Sequence, residues 1–325
     1  MNLSPFVSPA EELFGEREER LKNAEGLIEF GVPYLDDAML GIGKNDLVVL
    51  AARSGAGKSE LATHIALTNA RKGRRVIFLA LEAERREVPR RMLFKIMARK
   101  FYANRAFHSG ERPNYHHWYM GKQEALFAPY YEAACQELKS FDSLKVFYRG
   151  SDFGLPQLHA IFASIKGDAD LLVLDHLHYV DFADDNENRA HKEAVKEIRD
   201  LALLHGIPVI LVAHIRKADR RNPNPVPDLE DIHGSSDIFK IATKAVIIAP
   251  ARDQAVQPGS RTHRFPTYMR TAKCRQDGSL QWFCAVTAFD LSRGEYESKY
   301  ALGNHNAKGE WVPLEEKPFW AKGSV

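Results

Sequence analysis

Leu47-Val48-Val49-Leu50-Ala51-Ala52-Arg53-Ser54-Gly55-Ala56-Gly57-Lys58-Ser59 is the stretch on which the reading of the fold turns. Its first apolar residues form a strand buried on both faces, and Glu60 to Arg71 continues as a helix. Between them lies a phosphate-loop pattern, G-x-x-x-x-G-K-[ST], met everywhere except at its first position, where Ala52 stands for glycine. From Ser54 to Ser59 the residue types suit an anion. Small residues at Gly55, Ala56 and Gly57 let successive backbone N–H groups turn inward, and the helix that follows points its positive end the same way. Lys58 is expected to reach the β- and γ-phosphates, and the Ser59 hydroxyl to ligate Mg²⁺. The chain is therefore expected to bind a nucleotide.

Outward from this loop the chain alternates. Arg75–Leu81, Leu144–Tyr148, Leu171–Leu174 and Pro208–Ala213 are strand-like. Helical patterns cover Arg85–Phe101, Lys122–Ser140, Leu155–Lys166 and Ala190–His205. Such alternation predicts an α/β fold with a mostly parallel central sheet flanked by helices. The ending differs: Lys244–Ala249, Thr267–Ala272, Gln281–Ala288 and Glu295–Tyr300 are strand-like runs separated by turns such as Asp277-Gly278, which predicts an antiparallel C-terminal edge. Residues 103 to 122 are rich in aromatics and histidine without a period and are read as a loop or insertion. Residues 1–27 form a leader with a charged, weakly amphipathic helix over Ala10–Asn23, a candidate arm for docking on a neighbouring subunit; residues 28–325 form the main domain.

Composition limits the function classes. The chain has 325 residues and a formal charge of only +2, so any nucleic-acid contact must be local. Cys135, Cys274 and Cys284 are scattered, which argues against a disulfide framework or zinc knuckle. No apolar run is long enough for a membrane span, and Met1-Asn2-Leu3-Ser4-Pro5 lacks the build of a signal peptide. A cytoplasmic location is the expectation.

Further residues carry chemistry. Asp175 ends an apolar strand at its carboxyl end, where open parallel sheets bind ligands, and is the second candidate Mg²⁺ ligand. Glu82 follows the strand ending at Leu81 and can polarise water against a γ-phosphate, with Glu84 as competitor. His214 ends the strand from Pro208 and can sense that phosphate. Arg216, Lys217, Arg220 and Arg221 place four cations in six residues, a candidate grip on single-stranded nucleic acid. Lys273 and Arg275, spaced to share one side of a strand end, are candidates for acting on a neighbour's γ-phosphate. His176-x-His178 hints at a metal pocket, but no Cys or Glu stands at a suitable spacing, and it is set aside. His116-His117 with Trp118 reads as packing or loop rather than a ligand pair.

In order, these pieces resemble the RecA-like motor domain of DnaB-type replicative helicases. The matching stretches are Gly31–Asp36, Ala51–Ser59, Leu81-Glu82, Val173–Leu177, Val212–His214, Asp228–Asp237 and Ala272–Gly278, over roughly residues 28 to 290. The family tolerates Ala at the first loop position. The resemblance implies ATP and Mg²⁺ as cofactors, Lys58, Ser59 and Asp175 as their ligands, and Glu82 as catalytic glutamate. His214 stands where the family usually has Gln. Lys273 and Arg275 would act in trans, which implies a homo-oligomeric ring, expected to be a hexamer, whose central channel the basic loop faces. Single-stranded DNA and a loader or primase protein are the implied partners, and ATP-driven unwinding during DNA replication the implied activity. Three departures stand out, the first being that residues 103 to 122 have no counterpart in the family. The family's separate N-terminal domain is not matched, the leader looking like its linker helix, and His178 replaces a frequent Gln. The alternative reading is a RecA- or KaiC-like ATPase used as a nucleotide-dependent assembly switch or as a DNA-coating protein, without unwinding.

Overall fold

A computed structural model describes residues 8, 10, 13–104, 110–150, 152–181, 187–215, 224–227, 236–254, 263–276 and 283–321. One sheet of eleven strands organises them. At its centre β1 (Leu47–Ala52) is buried at all six positions. It pairs in parallel with β5 (Val209–His214) on one side and β6 (Lys244–Pro250) on the other. Beyond β5 follow β4 (Leu171–Asp175), β2 (Val76–Ala80) and β3 (Leu144–Tyr148), all parallel. Beyond β6 the direction reverses. β7 (Arg264–Cys274), β8 (Cys284–Asp290), β10 (Ala301–His305) and β11 (Trp311–Pro313) extend the sheet by antiparallel pairing, with the two-residue β9 (Glu295–Tyr296) on β8. The expected mostly parallel sheet with an antiparallel C-terminal edge is what the chain forms.

The continuous apolar run of β1 is explained by cover on both faces. Val48, Leu50 and Ala52 join one core with Leu61 and Ile65 of α3 (Lys58–Arg71) and Met92, Ile96 and Met97 of α4 (Glu87–Ala103). Leu47, Val49 and Ala51 join the other, with Leu158 of α7 (Leu155–Ser164), Ile198 and Leu201 of α8 (Glu187–His205) and Ile238 of α9 (Ser236–Ile241). Period-two alternation thus divides β1 between the cores. Each fully buried Leu or Ile contributes about 1.5–3 kcal/mol, so this sandwich fixes the strand's register against slippage.

The structure departs from the expected elements in four places. The segment read as a loop over 103–122 contains a short helix, α5 (Tyr115–Tyr119), started by Asn114, whose side chain accepts from the His117 N–H. Its Trp118 packs 5.9 Å from Phe94, while His116 and His117 are exposed. The strand expected over Glu295–Tyr300 is confined to the two residues of β9, and β10 begins only at Ala301, beyond the expected run. β11 was not read at all, being three residues without alternation. Helix boundaries shift by a few residues, as for α4 and for α6 (Glu124–Ser140).

The leader helix α1 (Glu16–Glu25) has no buried residue, and Phe14, just before it, is 92 % exposed. α2 (Pro33–Met39) is short but anchored by Tyr34, Leu35, Ala38 and Met39, all buried.

Candidate functional site

The carboxyl ends of the parallel strands gather the polar residues. The registers align Ala52 with His214 and Ala80 with Asp175, and the Leu81 N–H donates to the Asp175 carbonyl at 2.7 Å. The loop after β1, the residues after β2 and the ends of β4 and β5 therefore converge on one edge. Gly55 (φ 75°) and Gly57 (φ 94°) adopt left-handed backbone, which a side chain would strain, and neither faces an obstructing atom. The turn brings the chain into α3 with Lys58 as its first residue.

Lys58 is almost fully buried. Its ammonium donates to the Arg53 carbonyl at 3.1 Å and stands 3.0 Å from His214 Nδ1. Burial lowers its pKa, opposed by the carboxylates of Asp175 and Glu82. The Ser59 hydroxyl donates to Asp175 Oδ1 at 3.2 Å. Burial raises the Asp175 carboxyl to about 6, with the Ser59 hydrogen bond opposing and Glu82 adding to the rise. A hydroxyl against a carboxylate is the hard-oxygen pair that Mg²⁺ takes, together with phosphate and water. The residues present fit a Mg²⁺-nucleotide: backbone donors for phosphate, a buried lysine, and two oxygen ligands.

Glu82 is half-exposed, with Oε2 2.7 Å from His176 Nε2. That approach lies off the line a hydrogen bond needs. Among the described residues neither ring nitrogen of His176 has a hydrogen-bonding partner, although the side chain is only 2 % exposed. Burial first, then His214, His178 and Lys58, depress its pKa to about 3, so the ring is neutral. His176 and His214 meet edge to face at 4.3 Å between ring centres, and His178 stands 5.4 Å from His214 and 4.7 Å from His191. Sequence spacing offered His176 no carboxylate partner. The adjacency of β2 and β4 supplies Glu82, and that of β4 and β5 brings His214 within reach, through strand order that no local pattern contains.

A cavity of about 280 Å³ adjoins the loop at Gly55–Gly57. Its walls include Phe94, Tyr115, Leu291 and Tyr296. At its floor Glu60 pairs with Lys95 and, at 3.1 Å, with Arg91. Those cations outweigh burial and lower the Glu60 pKa. Lys95 also donates to the Gly294 carbonyl at 2.6 Å. The cavity is open beside the phosphate loop and apolar on its sides, the form of a pocket for a nucleoside base. The sequence reading missed Arg91, Lys95 and Tyr115 here, since their elements meet only in the fold.

The AAA domain family matches residues 15–220. The chain belongs to that family. Its fold is the RecA-like motor fold of DnaB-type helicases. One solved ATPase domain superposes with a TM-score of 0.65 at 19 % identity, covering 90 % of this chain and 99 % of that one. A DnaB-like replicative helicase, solved in a study of its interactions with primase, gives 0.64 at 18 %, covering 90 % of this chain and 67 % of that one. No curated protein matches by sequence. The likeness to these two structures is one of fold, and no helix among the described residues is long and apolar enough to cross a membrane.

Lys273 and Arg275 are not part of this gathering. β7 runs against β6, so its end lies at the amino end of β1, beside Asp46. A six-residue strand spans about 20 Å, which separates these cations from the phosphate loop of their own chain. Lys273 donates to the carbonyls of Phe239 and Lys240, both at 2.8 Å, and so caps α9. Burial lowers its pKa, with Arg275 adding to the effect. Arg275 lies one residue beyond β7 and lines a cleft with Glu16, Arg20 and Arg199. Arg216, Lys217, Arg220 and Arg221 lie outside the described residues, as do Asp228–Ser235 and Asp277-Gly278.

Proposed function

We propose that this chain is an ATP-hydrolysing motor of the DnaB type that forms a ring, translocates on single-stranded DNA and unwinds duplex. One observation carries the reading: Lys58, Ser59, Asp175, Glu82 and His214 share one edge of the sheet, while Lys273 and Arg275 stand at the opposite end. The first group is what one subunit needs to hold ATP. The second lies too far from that edge to act on the same nucleotide, and in this reading it serves a neighbour's, which completes the site at an interface between subunits. A closed ring, six-membered as in the resemblance, supplies one such interface to every subunit.

In this reading the loop amides from Ser54 to Gly57 and the Lys58 ammonium hold the phosphates, and the cavity beside Tyr115 takes the base. Ser59 and Asp175 would hold Mg²⁺, which when bound would neutralise phosphate charge. Glu82 accepts a proton from the attacking water, and His214 registers the γ-phosphate through the ammonium it contacts. Lys273 and Arg275 of the preceding subunit stabilise charge on the transferring group. Loss of the γ-phosphate then passes from β5 into the basic loop that follows, which grips the DNA backbone. A loader or primase would engage the assembled ring, and the leader helix, with no buried face of its own, would dock on the adjacent subunit.

The deciding experiment is ATP turnover with and without single-stranded DNA, on the wild type and on Arg216→Ala/Lys217→Ala/Arg220→Ala/Arg221→Ala. Stimulation that disappears in the variant supports the motor. Turnover indifferent to DNA in both replaces it with the nucleotide-dependent assembly switch.

A further inference from the structure

The histidine cluster beside the phosphate loop is more than the hydrolytic reading uses. One ligand atom each from Glu82, His176 and His214 lie within 4.8 Å of one another. Two imidazoles and one carboxylate are a donor set for a borderline divalent ion such as Zn²⁺ or Co²⁺, and differ from the all-oxygen set that Mg²⁺ prefers. His176 provides the second, independent observation. A polar ring 2 % exposed, with both nitrogens lacking a hydrogen bond among the described residues, carries a desolvation cost that a bound cation would remove. Its neighbour Glu82 Oε2 is already 2.7 Å away.

We propose that Glu82, His176 and His214 form a transition-metal site, distinct from the Mg²⁺ position at Ser59 and Asp175, that holds a Zn²⁺-class cation in the nucleotide-free protein. Four-coordinate bonds of the usual length set ligand atoms about 3.3 Å apart, so the group must contract by about 1.5 Å at its widest. Glu82 is half-exposed and His214 partly exposed, so both can make that adjustment around the fixed ring of His176. Three protein ligands leave one coordination position open. The cation would occupy the carboxylate that hydrolysis needs, so its occupancy and water polarisation by Glu82 exclude one another. The site is then inhibitory. Lys58 limits its affinity, because its ammonium contacts His214 Nδ1 at 3.0 Å and opposes a second cation.

The binding claim rests on the cluster's geometry and not on the hydrolytic reading, and the test keeps them apart. Full-length, nucleotide-free protein is titrated with Co²⁺ and followed by visible absorption, then back-titrated with Zn²⁺. The expected result is one Co²⁺ per chain with the intense bands of low coordination number, displaced by Zn²⁺. His176→Ala and His214→Gln should each weaken binding at least tenfold. Ser59→Ala should leave binding intact, and Lys58→Met should tighten it. Circular dichroism confirms folding; if His176→Ala does not fold, His214→Gln and Glu82→Gln decide. Weak octahedral Co²⁺ bands, or binding unchanged in the folded ligand variants, would overturn the proposal. So would binding lost in Ser59→Ala but kept in the ligand variants, which would assign the signal to the Mg²⁺ position. Absence of ATPase activity would leave the Co²⁺ result standing.

Discussion

The Lys58 ammonium stands 3.0 Å from His214 Nδ1, joining the phosphate loop to the end of a strand 156 residues later in the chain. In the proposed function this buried lysine exchanges that contact for a phosphate. Lys58→Ala should lower ATP turnover by at least about 100-fold, the scale of losing a preorganised electrostatic contact to the reacting group. His214→Ala should leave nucleotide affinity within a few fold but uncouple turnover from DNA. Steady-state turnover with and without DNA, alongside fluorescent-nucleotide binding, reads both. Normal hydrolysis in Lys58→Ala would remove the phosphate-loop assignment.

The position of Arg275 makes a prediction about pairs of subunits. Set at the far end of the sheet, it cannot reach the loop of its own chain. Arg275→Ala should bind ATP nearly normally and lose about 10³-fold in turnover, as removal of a trans-acting arginine does. Lys58→Ala subunits carry an intact Arg275, and Arg275→Ala subunits an intact loop. Mixed assemblies should recover part of the activity, verified as mixed by differential tagging. Mixed rings as inactive as either parent would argue for a site complete within one chain.

How much was legible beforehand follows from what is local. The loop from Ser54 to Ser59 and the strand ending in Asp175 are contiguous signals, and each appears where its pattern indicates. The sheet's change of direction was legible because apolar runs separated by turns replaced strand–helix alternation after Lys244. The histidine cluster was not. Glu82 and His176 follow the ends of β2 and β4, His214 ends β5, and only the order β5-β4-β2 makes them neighbours. The cavity floor of Glu60, Arg91 and Lys95 was hidden for the same reason, since a helical Lys every few residues normally signals a solvated face. β11 was lost because three residues cannot display a period.

His64 makes a prediction for acid stability. Its Nε2–H donates to the Gly31 carbonyl at 2.8 Å, and its ring meets Tyr296 edge to face at 5.4 Å. Burial, with Lys95 nearby, depresses its pKa from 6.5 to about 4. Between those values the unfolded chain takes up a proton that the folded chain refuses. Stability is therefore fully present above pH 6.5 and falls as the pH drops toward 4. The full shift corresponds to about 3 kcal/mol, and partial exposure of the ring reduces this to about 2. His64→Gln keeps a donor for Gly31 and removes the titration. Urea unfolding at pH 7.5 and pH 5 should show the wild type losing more stability than the variant. Equal losses would mean that His64 protonates in the folded state.

Asp46 and Lys244 form a nearly solvent-free ion pair at 3.0 Å, where the chain enters β1 and β6. The Lys244 ammonium also donates to the Gly41 carbonyl at 2.5 Å and the Met39 carbonyl at 3.3 Å, tying the end of α2 to the sheet. Asp46 accepts from the Gly43 N–H, the Thr243 hydroxyl and Gln276. Burial alone would raise its pKa, but Lys244 and these donors prevail and lower it. Removing one partner leaves the other charge buried, a loss of about 3–5 kcal/mol, whereas removing both leaves no orphan charge. Lys244→Met and Asp46→Leu should each lower the urea midpoint strongly. The double variant should lose at least about 2 kcal/mol less than the sum of the two. Additive losses would show that the carbonyl and amide contacts, rather than the ion pair, hold α2 against the central strand.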